Sequence, residues 1–373
     1  MDERLSRTVA VLRELGADWA VLTAPESLVY ALGYAPAVET GPSPFAAGPA
    51  LALVGRDGEA ALILPATEVA GPRAGQVFRY DNYGLHHADL PRGAFEAEFQ
   101  KLRGHMRPSG RFAIDGAAHS AWIDGLLPPG ERIDLTAALR RQRMTKTDAE
   151  VAALTRCAEL AAIGQTRMMA AARPGISELA LFAAIREVME REAGERLAVT
   201  GDLLSGRART AGMTGWPGKR VLGQGDAIIA DIAPRFGGYW GDSCATVVLG
   251  TPTEAQLRVF GAARNALDLA IAEIRPGMTA GAAHRLVRGC VQGAGFDYPH
   301  HTGHSIGTAV HEHPRLCDDE TTVLRAGMVL MVEPGAYDPA IGGARTEWML
   351  HVTETGCRPL APFPLVAAVN SVE

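Results

Sequence analysis

Apolar and polar positions along the chain follow two regimes that change near residue 145. Residues 2–15 show the three-to-four spacing of an amphipathic helix, and Trp19-Ala20-Val21-Leu22 after them has the unbroken apolar character of a buried strand. Apolar runs at 50–54, 60–64 and 111–114 predict further strands, with a helix over 95–102 between the last two. This interleaving predicts a small α/β domain over residues 1–143. From Lys146-Thr147-Asp148-Ala149-Glu150 onward the pattern becomes long helical periodicity, which places a second domain at 144–373. The Pro- and Gly-rich stretch 40–49 reads as a surface connection, and the neighbouring His86-His87 as a solvated pair on a loop.

Within the second region two segments resemble each other. Residues 168–188 (MMAAARPGISELALFAAIREV) and 269–291 (LAIAEIRPGMTAGAAHRLVRGCV) each run helix, Arg-Pro-Gly, apolar residue, then Ser177 or Thr279 as the N-cap of a second helix. The two Arg-Pro-Gly triplets begin at 173 and 275, an offset of 102. Strand-like runs follow each copy, so this half reads as two similar α+β lobes.

Composition narrows the setting. A net charge of -6 with no basic block argues against nucleic acid as a partner. No apolar run reaches membrane-spanning length, and the N-terminus lacks the pattern of a secretory signal. Five scattered cysteines, Cys157, Cys244, Cys290, Cys317 and Cys357, contain no CxxC pair, which predicts a reduced, cytoplasmic protein.

The chemistry concentrates in four places. In ADIAPRFGGYWGDSCAT, residues 230–246, two aspartates flank a glycine-rich turn between apolar strands. A reversal about Phe236-Gly237 sets Asp231 opposite Asp242, a like-charge pair that calls for a cation between them. PHHTGHSIGTAVHEHP, residues 299–314, holds five of the chain's 11 histidines, with Gly303 and Gly307 around His304. It is not the helical HExxH of a thermolysin-like zinc site. In GMVLMVEPGAY, Glu333 ends an apolar run, and in ARTEWMLHVT strand alternation puts Arg345, Glu347, Met349 and His351 on one face. Asp231, Asp242, Glu333 and Glu347 together hold about four negative charges, which two divalent cations would neutralise. Oxygen donors with one imidazole suit Mn, Co, Fe or Zn.

The order Asp, Asp, His, Glu, Glu in the settings DIAPRFGGYWGD, HTGHSIG, VEPGAY and RTE resembles the pita-bread metallopeptidases, the group of aminopeptidase P, prolidase, methionine aminopeptidase and creatinase. The resemblance covers roughly residue 146 to the C-terminus, and the N-terminal part is similar to the smaller creatinase-type domain. It implies an α+β fold with a duplicated pita-bread catalytic domain behind an α/β N-terminal domain, and a homodimer. It implies Asp231, Asp242, His304, Glu333 and Glu347 as metal ligands, with Asp242 and Glu347 bridging two ions. His311 and His300 match histidines used around the substrate, and Arg345 an arginine that supports the bridging glutamate. The implied function is a dinuclear amide-bond hydrolase, an Xaa-Pro dipeptidase or aminopeptidase acting on small peptides. The alternative is a creatinase-like or ectoine-hydrolase-like enzyme acting on a small amide or amidine.

Three departures accompany the match. Relatives carry a histidine about seven residues after the Ser-Gly of Leu204-Ser205-Gly206, where this chain has Met213. Arg207 and Arg209 nearby are candidates to bind a substrate carboxylate, and Trp216 to form an apolar wall. The usual Asp-x-Thr-Arg-Thr reads Asp242-Ser243-Cys244-Ala245-Thr246, and the residue after the last glutamate, commonly acidic, is Trp348.

Overall fold

The computed structural model describes residues 2–36, 49–82, 92–116 and 119–369. His86-His87 and most of the 40–49 stretch lie outside them. The chain divides into two compact units, Met1–Arg143 and Met144–Glu373.

The first unit is built on a six-stranded mixed sheet. Its order is Gln76–Tyr80, Ala60–Pro65, Leu51–Gly55, Trp19–Leu22, Gly110–Ile114, Gly130–Asp134. The central strand Trp19–Leu22 pairs antiparallel with Leu51–Gly55 and parallel with Gly110–Ile114. Its side chains alternate between two cores: Ala20 and Leu22 enter one cluster with Leu5, Val9 and Leu12 of the first helix, and Trp19 and Val21 enter another with Phe95 and Phe99. A strand that reads as continuously apolar is therefore one covered on both faces. The first helix, Glu3–Glu14, begins where Asp2 accepts the Arg4 N–H as N-cap.

The second unit repeats one construction twice. Helices Asp148–Ala171 and Glu178–Ala193 form the first hairpin, and Glu254–Glu273 and Ala280–Gly293 the second. Thr147 with Glu150, and Thr253 with Gln256, close capping boxes at the start of each copy. Ser177 and Thr279 cap the second helices through the N–H groups of Ala180 and Ala282. The equivalence extends to the connections: Gly175 donates to the Leu222 carbonyl and Gly277 to that of Leu324, again 102 residues apart. Each hairpin is followed by a sheet with an antiparallel three-stranded centre. In the first copy Ala227–Asp231 lies between Leu203–Ser205 and Cys244–Leu249, and in the second Val329–Val332 lies between Gly303–Ser305 and Trp348–Val352.

Two local expectations are corrected. Asp231 lies opposite Cys244, with Asp242 two residues further along the same side of the ladder. The reversal is centred on Gly237-Gly238, both at positive φ (57° and 86°), in a hairpin that pairs Phe236 with Tyr239. Two successive left-handed residues are what a two-residue turn demands, and the glycines take them in preference to Phe236. The 344–353 stretch is not one strand either. Gly342–Arg345 pairs with Gly335–Asp338, while Trp348–Val352 joins the other sheet, so Arg345 and Glu347 flank a junction.

Candidate metal centre

The sheet centres of the two copies meet where Cys244 and Glu347 exchange backbone hydrogen bonds. Around this seam, strand ends deliver the acidic residues. Asp231 closes Ala227–Asp231, Asp242 precedes Cys244–Leu249, Glu333 follows Val329–Val332, and Glu347 precedes Trp348–Val352. His304 sits at the middle of Gly303–Ser305. Gly303 has φ 149°, and a Cβ there would fall onto the Met331 carbonyl oxygen, so only glycine lets the histidine strand lie this close to its neighbour. Gly201, 102 residues earlier, has φ 132° and meets the Asp231 carbonyl in the same way.

All five expected ligands line one cavity of about 330 Å³, together with His300, His311, Arg345 and Met213. Asp242, His304 and Glu347 each offer a ligand atom within 4.8 Å of the others, and so do Asp231, Cys244 and Glu347. Glu347 belongs to both groups. Nε2 of His304 lies 3.9 Å from both Asp242 and Glu333. Its Nδ1 donates to the Ser305 carbonyl at 2.9 Å, a contact that leaves the Nε2 lone pair directed at the carboxylates.

The electrostatics are those of an anionic cup. Burial, reinforced by Asp231 and Glu333, pushes the Asp242 carboxyl well above its usual range. Glu347 is raised by burial and then by Asp242, Asp231 and Glu333. Burial lifts Glu333 to about 8 against the downward pull of Arg345. The same burial lowers the histidines, His304 to about 3 and His300 and His301 to about 4, so the imidazoles remain neutral donors of electron pairs. Oε2 of Glu347 is buried with no hydrogen-bond partner among the described residues. A buried carboxylate oxygen left unpaired beside three more carboxylates fits a divalent cation better than any neutral partner.

The remaining expected residues fall into distinct settings. Arg345 is buried, and its guanidinium reaches Asp231 at 2.6 Å and Asp202 at 3.5 Å; its hydrogen bonds go to Asp231 and not to Glu347. It also donates to the Met213 carbonyl at 3.0 Å. Met213 itself is held at φ 71°, unusual for a residue with a side chain. His300 is fixed by the His301 carbonyl at 2.7 Å and by Tyr337 Oη at 3.0 Å. His311 borders the cavity with its ring centroid 4.3 Å from that of His304. Arg207, Arg209 and Trp216 do not line it. Arg209 is committed to Glu178 at 3.1 Å and to the Trp216 carbonyl at 2.9 Å, which removes it as a substrate carboxylate binder.

Three residues not singled out by pattern belong to the site. His301 faces Glu333 at 3.5 Å, Tyr337 ties His300 to Arg345, and Asp202 lies in the wall beside Asp231. Asp202 is the backbone neighbour of Asp231, which donates its N–H to the Asp202 carbonyl at 2.9 Å as Glu333 does to Thr302 in the second copy, and no pattern along the chain marks it. A buried brace supports the histidine loop from behind. Lys146 Nζ bonds Ser305 Oγ at 2.8 Å and Glu312 at 3.2 Å.

Comparison with known proteins places this architecture. Residues 152–354 match the model of metallopeptidase family M24, and residues 4–145 that of the creatinase/prolidase N-terminal domain. The putative dipeptidase YkvY of Bacillus subtilis is 33% identical over 228 residues, 61% of this chain and 62% of that protein, so the match spans less than two thirds of YkvY. The Xaa-Pro dipeptidase of Pyrococcus furiosus is 25% identical over 365 residues, 96% of this chain and 98% of its own length. Among solved structures, the X-Pro aminopeptidase from Thermotoga maritima superposes with a TM-score of 0.82 at 21% identity, over 98% of this chain and 99% of that one. The prolidase from Pyrococcus furiosus gives 0.78 at 23% identity, over 95% and 99%. With the family model covering more than half of its length, the chain belongs to metallopeptidase family M24.

Proposed function

We propose that this protein is a dinuclear metal-dependent amide-bond hydrolase that acts on Xaa-Pro dipeptides or short Xaa-Pro peptides. The observation that carries the reading is the seam cup, in which Glu347 is shared by two donor groups and keeps a buried oxygen unpaired. Asp231, Asp242, His304, Glu333 and Glu347 would hold two divalent ions, with Mn, Co, Fe and Zn as the candidates that oxygen donors and one imidazole suit. When bound, such ions polarise an amide carbonyl and lower the pKa of water to near neutrality.

The chain's own groups then have separate tasks. Arg345 is a positioning residue that fixes the Asp231 carboxylate and neutralises part of the surplus charge with Asp202. His311, kept neutral by burial and with no hydrogen bond among the described residues, has an N–H to donate to the oxyanion that develops on the carbonyl. His300 is locked by the His301 carbonyl and Tyr337, so it shapes the cavity wall and hands a fixed dipole to the substrate side. Residues 1–143 and 144–373 are the proposed domains of a homodimer, the first restricting the substrate from a neighbouring subunit. A cytoplasmic setting rests on five unpaired cysteines.

Met213 supports a second reading. Its thioether replaces a proton donor in the cavity wall, and loss of such a donor costs on the order of a hundredfold in rate. That favours a small amide or amidine carrying a carboxylate as substrate. Metal analysis of protein purified without chelator, followed by a parallel screen of Xaa-Pro dipeptides, longer Xaa-Pro peptides, creatine-like compounds and cyclic amidines with Mn or Zn, separates the two. About two metals per chain are expected from four carboxylates. Efficient turnover of many Xaa-Pro dipeptides removes the second reading, and protein that neither contains nor takes up metal removes both.

A further inference from the structure

We propose that Cys244 supplies a sulfur donor to the centre on its Asp231 side, making this a mixed oxygen and sulfur site. The inference rests on the metal reading above and deepens it. Cys244 is the direct antiparallel partner of Asp231, so the two side chains leave the ladder on one face, and the Cys244 backbone is bridged in turn to Glu347. Its Sγ, one Asp231 oxygen and one Glu347 oxygen all lie within 4.8 Å of one another. A single cation with metal–sulfur and metal–oxygen distances of about 2.3 and 2.1 Å is of the size to draw such a trio together.

The Glu347 carboxylate of this trio is also the one whose Oε2 is buried and unpartnered, which points to a cation independently of the sulfur. The competing contact for the thiol is weak, the Arg345 carbonyl at 3.6 Å. Cys244 is fully buried and packs with Leu204, Ile229 and Tyr337 outside the residues that line the cavity, so its sulfur meets only groups of the protein interior. The family pattern has threonine here, whose hydroxyl is a hard and poorly ionising donor; the sulfur substitution changes the kind of ion that the site prefers. A soft donor added to hard ones biases selection toward zinc and cobalt and away from manganese.

The test uses the full-length chain stripped of metal and titrated with Co(II), followed by absorption. The expected result is a thiolate-to-cobalt charge-transfer band in the near ultraviolet that grows with metal uptake. In Cys244→Ser the band is lost while about two cobalt ions per chain still bind, and zinc affinity falls roughly ten- to hundredfold with manganese affinity unchanged. Cys157, Cys290, Cys317 and Cys357 remain in that variant, so a band that survives the substitution comes from one of them and overturns the proposal. Wild-type protein that binds two cobalt ions without the band overturns it as well while leaving the hydrolase reading intact. Failure of the wild-type chain to take up cobalt removes the metal reading itself, and this inference with it.

Discussion

At Glu347 and its neighbours, burial and like charge act in the same direction, and the result is a pH dependence with a defined sign. In the metal-free chain Glu333 has its pKa raised from 4.5 to about 8, so it contributes stability in its protonated form that is complete below about 4.5 and lost as pH rises to 8. His300, His301 and His304 have values lowered from 6.5 to about 4, 4 and 3, and their contribution is present above 6.5 and lost as pH falls. Between pH 6.5 and 8 the histidine contributions are flat and the carboxyl one declines. The melting temperature of chelator-treated protein should therefore fall across this window, by the equivalent of up to about 2 kcal/mol for one such group. Saturating metal should abolish the decline, because a cation replaces the proton. Calorimetry showing a rise over the window in metal-free protein would contradict this electrostatic picture. Glu347→Ala should abolish turnover and reduce metal binding, yet melt no lower than wild type when both are metal-free, since it deletes a buried carboxyl whose Oε2 has no hydrogen-bond partner among the described residues. A variant with full turnover would show that Glu347 is not a ligand. The four carboxylates proposed as ligands stand out in the chain because a charge beside an apolar run is anomalous, and His304 because it lies in a glycine-flanked histidine cluster. Tyr337 does not, because a tyrosine in an apolar stretch looks like core until its hydroxyl is seen between His300 and Arg345.

The elements that carry these residues were legible as strands, and their register was not. Asp231 and Asp242 do share one side of the hairpin, but the pairing is shifted by two because the turn is set by the positive φ of Gly237 and Gly238. A shift of two preserves the face, so the prediction of two aspartates in one site survived an incorrect pairing. The break between Arg345 and Glu347 was invisible to alternation, which does not report a change of sheet. It matters, because Arg345 turns to Asp231 while Glu347 reaches the seam. A tight constraint at this scale is Gly303, where any side chain meets the Met331 carbonyl. Gly303→Ala should cost about 1–3 kcal/mol and displace His304, lowering metal affinity as well as melting temperature. Gly277→Ala, also at positive φ but with nothing near its added Cβ, is the control. It should reduce stability by about 1 kcal/mol and leave metal affinity unchanged, and equal metal affinities in the two variants would detach the close approach from the site.

For the whole molecule, the proposed homodimer predicts that light scattering gives twice the chain mass across the working concentration range, and a monomer throughout would remove the proposed role of residues 1–143 in a neighbouring site. The duplication within 144–373 has a consequence in time. Each helix hairpin and its sheet centre is assembled from residues near one another in sequence, whereas Arg345 and Asp231 are 114 positions apart, and the terminal strand Ala368–Val369 returns to pair with Val248-Leu249. During synthesis the first copy, with Asp231 and Asp242, emerges first, while Phe363 and Val369, which complete its core, are still to come. It waits as half a vessel, its acidic rim open to water and able to shed any ion that visits. His304, Glu333 and Glu347 all come from the second copy, so a cup holding all five proposed donors exists only when both copies have met across the seam.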